Sequence, residues 1–342
     1  MMTFYRFSAY MTLFVIMAFC ACIQDARTQE IYEYSPEEAF LLPNEIRSLS
    51  NVTVKLQPGV YEMEDQLYFK AGTNLIIEGS GSGLGGESTI LDFTIYSESL
   101  EDSRALSVRG AVILRDLTIR NVRGRAADLR TGSIDSPSDA QVIFNNVWFV
   151  DCNTGLKSTG GRTVGVPGAP MLAQNCVFLN TPGYPYPSMD AFIDVRDTTY
   201  ALFDHCDFFN TNNMVQMRID DPDAAPNTGP EITIQNSIVY SVNGSEDDLY
   251  LLAGILTFRN CVLWDSVDSG ALILLGEGTV EEIDSIVADP LYVNVSPDAS
   301  DDQLDFHLQP GSPAVGLGAD GYDAGSIAAL PVRVNFWELL NQ

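Results

Sequence analysis

Basic residues are scarce in this sequence of 342 residues. Lysine and arginine together number 18, against 46 aspartates and glutamates, so the formal net charge is −28. Proteins that bind nucleic acids present a basic face to the phosphates, and we therefore expect no nucleic acid partner. Histidine is rarer still, and the two histidines, His205 and His307, leave little room for a metal site built from several imidazoles.

Long apolar runs are also missing after residue 23. A transmembrane helix needs roughly 20 consecutive apolar residues, so we expect the main body of the protein to be soluble. The absence of a Cys-x-x-Cys pair argues against the common zinc and redox motifs, and no Gly-x-Ser-x-Gly or Walker motif is found. The chain can still build a core, because 46% of its residues are hydrophobic and only 19% are charged.

The first 21 residues have the pattern of an export signal. Arg6 supplies a positive charge, and an almost wholly apolar stretch runs from Phe7 to Cys20. Cys22 follows a small residue and resembles the lipidated cysteine of bacterial lipoproteins, so two alternatives are open: a lipid anchor at Cys22, or simple cleavage and secretion. Either one predicts an exported protein, extracellular or at the cell surface, that meets the outer membrane only through a lipid. We interpret residues 22–34 as a polar tether.

A short unit recurs seven times in the middle of the chain. Each unit is an alternating strand, a polar residue at a turn, and a second short strand. The turn residues are Asp116, Asn146, Asn175, His205, Asn236, Asn260 and Asp284. They follow one another at intervals of 30, 29, 30, 31, 24 and 24 residues. One such unit cannot bury its apolar side chains alone, so the pattern predicts units stacked into a β-solenoid with the turn residues in one column.

The predicted column explains which residues stand at the turn. Asparagine tolerates the left-handed backbone of a sharp turn, and its amide can bond to the neighbours above and below. His205, Asp116 and Asp284 occupy the same position, and we interpret them as structural rather than catalytic.

The next position inward carries small or apolar residues, among them three cysteines. Cys176 and Cys206 fall on adjacent coils, and two interpretations are open for them. They are either buried thiols that behave as small apolar groups, or a disulfide that an exported protein could form.

Two further segments accompany these units, one on each side. NVTVKLQPGVYEMEDQLYF begins at Asn51, and DFHLQPGSPAVGLGADGYDAGSI begins at Asp305. Together with the column of turns they resemble the first coils, the ladder and the closing segment of the right-handed parallel β-helix in the pectate-lyase-like superfamily, in its exported bacterial type. The resemblance covers roughly residues 50–327 and implies an all-β fold.

The ends of the solenoid are expected to be capped. Ser35-Pro36-Glu37-Glu38 has the pattern of a capping box with proline at the first helical position, which predicts a short helix over the first coil. We expect one β-helix domain over residues 35–330, followed by a tail over residues 331–342. Because caps protect open strand edges, a monomer is the expected state.

In this fold, one strand of each coil precedes the column of turns, and its alternation predicts which side chains point outward. The expected outward residues are Ser107, Lys157, Asp194, Gln216 and Tyr250, beside Arg109, Thr159, Arg196, Arg218 and Leu252. Lysine occurs only three times in the chain, so Lys157 within a strip that also holds Arg196 and Arg218 is notable.

The resemblance implies that this strip holds an acidic polysaccharide. In the polysaccharide lyases of the superfamily, a basic residue removes the proton next to a uronate carboxylate while cations neutralise that carboxylate. Carried over to this chain, Lys157 would be the base, and Arg196 and Arg218 would hold the carboxylate. Further contacts to the substrate would come from Arg109, Gln216 and Tyr250. Calcium is the one cofactor implied, held by Asp194 together with Asp190 or Asp220.

Two functions therefore remain open. The first is an exported lyase that cleaves a uronate-containing polymer by β-elimination. The second is a non-catalytic surface solenoid that binds glycans or other cell-surface components, in which the Arg and Asp side chains of the strip form cross-strand ion pairs. Hydrolysis by two carboxylates is disfavoured, because the paired aspartates and Gly-His-Gly of polygalacturonases are missing.

Overall fold

The structure is a computed structural model, and it describes most of the chain. The described residues are 30–98, 103–130, 140–159, 171–180, 192–196, 199–209, 214–219, 229–241, 249–265, 274–295 and 304–326. The predicted export signal, Cys22 and the predicted tail lie outside the described residues.

Parallel strands stack into a right-handed β-helix with three faces, which we name in the order in which the chain meets them. Face A contains β2 (Val52–Leu56), β5 (Asn74–Glu78), the starts of β8 (Ala111–Arg130) and β9 (Gln141–Thr159), β10 (Met171–Gln174), β13 (Tyr200–Asp204), β16 (Glu231–Gln235), β19 (Ile255–Arg259) and β22 (Thr279–Ile283). Each of these strands pairs in parallel with the equivalent strand of the next coil. The all-β solenoid expected from the repeats is thus confirmed.

Faces B and C continue each coil. Face B contains β3 (Gly59–Glu62), β6 (Thr89–Asp92), the middle parts of β8 and β9, β11 (Val177–Leu179), β14 (Asp207–Phe209), β17 (Ile238–Ser241), β20 (Val262–Asp265) and β23 (Ile286–Val287). Face C contains β4 (Leu67–Phe69), β7 (Arg104–Val108), the ends of β8 and β9, β12 (Ile193–Arg196), β15 (Val215–Arg218), β18 (Leu249–Leu251) and β21 (Leu274–Gly276). A short helix, α2 (Thr94–Glu98), connects β6 to β7; the helix before it, α1, belongs to the N-terminal cap.

The corner between faces A and B is the predicted column of turns. All seven turn residues adopt a left-handed backbone, with φ between 49° at His205 and 55° at Asp116. Their backbone N–H groups bond across coils, as when Asn236 donates to the carbonyl of Arg259 at 2.9 Å. Side chains add to the ladder, because Nδ2 of Asn146 donates to Oδ1 of Asp116 at 2.7 Å. The structural role predicted for these residues is confirmed.

The interior is filled by the alternate side chains of all three faces. Phe149, Phe178 and Phe208 occupy equivalent positions on successive coils and stack with ring centroids 5.1 and 4.7 Å apart. The cysteines within the described residues, Cys152, Cys176, Cys206 and Cys261, are buried and free. Of the two interpretations of Cys176 and Cys206, the structure therefore has the buried thiols. Burial also raises the pKa of the Cys206 thiol, which keeps it unreactive.

The N-terminal cap differs from the sequence prediction in two ways. The predicted tether ends earlier than expected, because β1 (Glu30–Tyr34) already pairs with β2. The predicted helix is present as a 3₁₀ helix (Pro36–Leu41) followed by α1 (Leu42–Ile46), and Ser35 N donates to the Glu38 carboxylate at 2.8 Å. Pro43 lacks a backbone N–H, and this interrupts the helical hydrogen bonds and splits the segment into two short pieces. Leu42 and Ile46 pack into the core and so cover the first coil.

No helix within the described part of the chain has the length and hydropathy needed to cross a bilayer.

The last described residues cover face B. β24 (Tyr292–Asn294) and β25 (Asp305–Leu308) form an antiparallel pair, and residues 309–326 continue as turns. Their apolar side chains pack on the outward side chains of face B in a second apolar cluster, which contains Val150, Val177, Leu179, Phe209, Ile238, Val262, Tyr292, Phe306, Ala314 and Ala324. Face B is therefore buried on both sides, as parallel sheets usually are.

Asp207 anchors this C-terminal segment within the apolar cluster. Its Oδ2 accepts a hydrogen bond from Ser326 N at 2.7 Å, and its Oδ1 accepts one from the hydroxyl of Tyr292 at 2.6 Å. Nearby, Nε2 of His205 lies 3.4 Å from Oδ2 of Asp320 on the same segment. The segment is thus held to the corner of the solenoid by titratable groups.

Two of these groups have raised pKa values. Burial raises the pKa of Asp207 above its ordinary 3.8, and the hydrogen bonds from Ser326 and Tyr292 only partly oppose this. At His205 burial lowers the pKa, but the hydrogen bond and charge of Asp204, with the charges of Asp320 and Asp207, outweigh it and raise the pKa above 6.5. A group with a raised folded-state pKa stabilises the fold below its unfolded pKa and loses that effect as the pH rises through the folded pKa.

Replacing His205 tests its structural role. We expect His205→Asn to leave the free energy of unfolding within about 1 kcal/mol of the original, because asparagine already serves at this corner. His205→Val should lose roughly 1–2 kcal/mol or more, because a β-branched side chain disfavours positive φ. Urea unfolding of both variants measures the difference, and equal losses would contradict the role assigned to the corner.

The pH dependence of the C-terminal segment follows from the raised pKa values of Asp207 and His205. Protection of the Gly325 and Ser326 amides from hydrogen exchange, corrected for the intrinsic rate, should fall between about pH 5 and pH 8, as both groups lose their protons. Asp204 acts only in stronger acid, because its pKa is lowered, and burial raises the pKa of Tyr292 out of this range. Protection that stays constant or increases over this interval would contradict the anchoring described above.

Candidate functional site

Six residues on successive coils form one outward column on face C. They are Ser107, Asp128, Lys157, Asp194, Gln216 and Tyr250, and each is in register with the next. The residues that precede them in the strands, Leu106, Ala127, Leu156, Ile193, Val215 and Leu249, are buried in the core. The predicted phase of these strands is therefore correct, and the predicted column gains one member, Asp128.

Lys157, Asp194 and Arg196 form a buried ion network at the centre of this column. Nζ of Lys157 lies 2.8 Å from Oδ2 of Asp194, and the guanidinium of Arg196 donates through Nη2 to the same oxygen at 2.7 Å and through Nε to Oδ1 at 3.0 Å. The side chain of Asp194 is fully buried, and those of Lys157 and Arg196 are 6% and 9% exposed. Two of the predicted catalytic residues are thus brought together by one carboxylate.

Asp128 is the centre of a second ion network, one coil nearer the N-terminus. We call its three partners, Arg104, Arg125 and Arg130, the arginine trio. All of them approach the same oxygen, Oδ2 of Asp128, at 3.0, 3.8 and 2.9 Å respectively. The other oxygen, Oδ1, is buried and has no hydrogen-bond partner within the described part of the chain. The trio is less buried than Lys157, because the side chains of Arg104 and Arg130 are 30% and 36% exposed.

The remaining predicted residues lie along the same face. Arg218 is in register with Arg196 on the next coil and is half-buried. Gln216 and Tyr250 are half-buried in the column, and Oε1 of Gln216 has no hydrogen-bond partner among the described residues. Arg109 is exposed and follows the end of β7. The strip therefore continues over both ends of the buried network.

The described residues do not fit the calcium site that the family resemblance implies. Both oxygens of Asp194 already bond to cationic side chains, whereas Ca²⁺ needs carboxylate oxygens that are available to it. The other two predicted ligands, Asp190 and Asp220, lie outside the described residues. Within the described ranges no three His, Cys, Asp or Glu side chains are grouped as a metal site. Calcium binding stays a prediction, and no chemical step is derived through it.

The other arginines between residues 104 and 130 are distributed over the remaining faces. On face A, Arg115 pairs with Glu78 at 2.8 Å. On face B, Arg120 pairs with Asp92 at 2.7 Å. These single pairs explain why the density of arginine in the sequence does not by itself identify a site.

Asp128 escapes the sequence analysis because of an irregular corner. The register between β8 and β9 shifts between Val122 and Arg125, so the intervals of the repeat do not lead to the face C strand of this coil. One signal could have found it: Ala126-Ala127-Asp128-Leu129-Arg130 has the same alternation as Ala105-Leu106-Ser107-Val108-Arg109 on the preceding coil.

Comparisons with known proteins give a likeness of fold alone. No family model matches the chain, and no curated protein matches it. Among solved structures, two deglycosylated forms of the pectin methylesterase from Aspergillus niger are similar at 13% identity, with TM-scores of 0.34 and 0.35; they cover 70% and 69% of this chain, and 78% and 77% of theirs. ORF18 of Geobacillus virus E2 is similar at 11% identity and a TM-score of 0.30, over 74% of this chain and 59% of its own. At this level of similarity, these structures assign no activity to the chain.

Removing the carboxylate of Asp194 tests how strongly the buried network is coupled. We expect Asp194→Asn to lower the free energy of unfolding by roughly 3–5 kcal/mol, because two buried cations lose the charge that they share. The control is Asp65→Asn, which breaks an exposed pair with Arg47 (side chains 45% and 41% exposed) and should cost at most about 1 kcal/mol. Chemical denaturation measures both variants. Equal losses in the two would mean that the network is effectively solvated.

Proposed function

We propose that this protein binds an acidic polysaccharide along face C. One observation carries the proposal: within the described strands of face C, the six cationic side chains of the arginine trio, Lys157, Arg196 and Arg218 accompany only two carboxylates, in a chain of net charge −28. In a protein this acidic, the general field repels an anionic polymer, and so binding depends on a local concentration of cations.

The types of side chain on this face suit a uronate polymer. Guanidinium groups bind carboxylates through two parallel hydrogen bonds, and Arg218 and the exposed parts of the trio present such groups. Gln216 offers an acceptor for a sugar hydroxyl, since its Oε1 has no partner among the described residues. Tyr250, next in the column, offers a ring on which a sugar can stack.

Cleavage of the polymer by β-elimination is the more specific form of the proposal. It requires Lys157 to present a lone pair to the substrate, with Arg196 and Arg218 holding the carboxylate. Nζ of Lys157 instead donates to Asp194 and is nearly buried, so that contact would have to open first. The geometry therefore favours binding over cleavage, and the lyase is the alternative that the same experiment examines.

The proposal also places the protein outside the cytoplasm, where acidic polysaccharides occur. The N-terminal sequence that predicts export, and the lipid anchor predicted at Cys22, are consistent with this location. Both are part of the proposal, and mass determination of the mature N-terminus tests them.

Calorimetric titration of the mature chain with polygalacturonate and alginate tests the binding. We expect affinity for both, weakening as salt is added, and none for neutral dextran, because the interaction is electrostatic. Arg218→Ala should bind several-fold more weakly, while the control Arg115→Ala, which removes the same charge from face A, should bind as the original does.

The outcomes separate the two functions. Absence of binding to every acidic polymer would contradict the proposal. A rise in ultraviolet absorbance from unsaturated uronate products, lost in Lys157→Ala, would show that the protein is a lyase and that Lys157 leaves Asp194 during the reaction.

A further inference from the structure

A single carboxylate on face C collects three arginines from two neighbouring coils. Arg104 lies at the start of β7, whereas Arg125 and Arg130 belong to the end of β8, on either side of Asp128. Asp128 itself is fully buried between Ser107 and Lys157 in the outward column. Because the three guanidiniums meet at one oxygen, the position of each of them depends on Asp128.

The exposed parts of the trio face solvent at the edge of the buried network. Nε and Nη2 of Arg130 bond to Asp128 at 3.0 and 2.9 Å, and this fixes the plane of its guanidinium. A guanidinium held in this way loses little conformational freedom when an anion binds, which is how preorganised groups gain affinity. With its side chain 36% exposed, Arg130 can present its remaining N–H groups to a ligand.

We propose that Asp128 is a positioning residue that holds the arginine trio as a second anion subsite on face C, for another carboxylate of the same polymer. This inference rests on the proposed function and adds the direction in which the polymer runs. Between Arg130 on β8 and Arg218 on β15 there are three coil steps, through β9 and β12. At about 4.8 Å for each step the two arginines are roughly 14 Å apart along the solenoid axis.

A spacing of this size separates polymers from monomers. A single uronate can occupy one of the two subsites, whereas a polymer lying along the axis occupies both. The second contact is then intramolecular, so affinity should rise with chain length by more than the number of carboxylates alone would give.

The substitution Asp128→Asn distinguishes positioning from simple attraction by the sign of its effect. It removes one negative charge beside the trio, so an interaction governed by charge alone would become tighter. Positioning predicts the opposite: binding of polygalacturonate about tenfold weaker, which is the loss expected when one charge-assisted contact is misaligned. Binding of monomeric galacturonate at the Arg218 end should be unchanged, which a general structural defect would not allow.

The matched control is Glu78→Gln. It also removes one negative charge from a partner of an arginine, Arg115, but on face A. We expect its affinity for polygalacturonate to be unchanged or slightly increased. Titration calorimetry of the mature chain gives both affinities, and circular dichroism shows whether each variant is folded.

A second variant keeps the test decisive if Asp128→Asn does not fold. Arg130→Lys retains the charge at a partly exposed position but loses the planar fork. Positioning predicts weaker polymer binding for this variant, again by about tenfold, and no change for the control Arg115→Lys.

Each outcome supports or overturns the inference. If the original chain binds polygalacturonate and the folded Asp128 and Arg130 variants bind it equally well or better, the inference is wrong while the proposed function stands. If the original chain binds no acidic polymer, both fail. Tighter binding to dextran sulfate than to polygalacturonate would overturn the assignment of a carboxylate ligand.

Discussion

Turning the backbone through a left-handed residue at the corner between faces A and B sets the phase of every strand that follows it. Seven residues from Asp116 to Asp284 adopt this conformation with φ near 50°. Side chains alternate along a strand, so a shift of one residue at a corner would exchange the core with the surface on the next face. The conformational preference of asparagine is therefore what places Lys157 outside the solenoid and Leu156 inside it.

The buried charges of face C are better explained by function than by stability. Removing two cations and a carboxylate from water is costly, and apolar residues of similar size often replace such groups without loss. The network around Asp194 occupies a position where the alternation of the strand requires no core contact, and the column could have been filled with threonine or valine. A chain that keeps lysine at only three positions, one of them in this network, has placed charge there against the cost of desolvation.

The fold could be predicted from the sequence because the corner leaves a repeated trace. The intervals between the turn residues located all seven corners, and alternation then assigned the outward residues Lys157, Asp194, Gln216 and Tyr250 correctly. Asp128 was missed because the corner between Val122 and Arg125 is irregular, so no interval points to that strand. The burial of Lys157 was missed for a different reason: its partner across the coils, Asp194, is 37 residues away, and only the register of β9 with β12 brings them together. The helix at the N-terminus was foreseen by its capping box, but the local effect of Pro43 divided it.

The three faces differ in what their surroundings leave available to a ligand. Face B carries apolar residues outward, and the C-terminal segment covers them, with Asp207 at the centre of the contact. On face A the arginine of one coil pairs with the glutamate of its neighbour, as Arg115 does with Glu78, so each charge is matched locally. On face C three arginines share Asp128, and Lys157 and Arg196 share Asp194, so cations outnumber carboxylates among the described residues of its strands. A neutral sugar surface would gain nothing from this excess, whereas an anionic polymer provides the charge that these two aspartates do not.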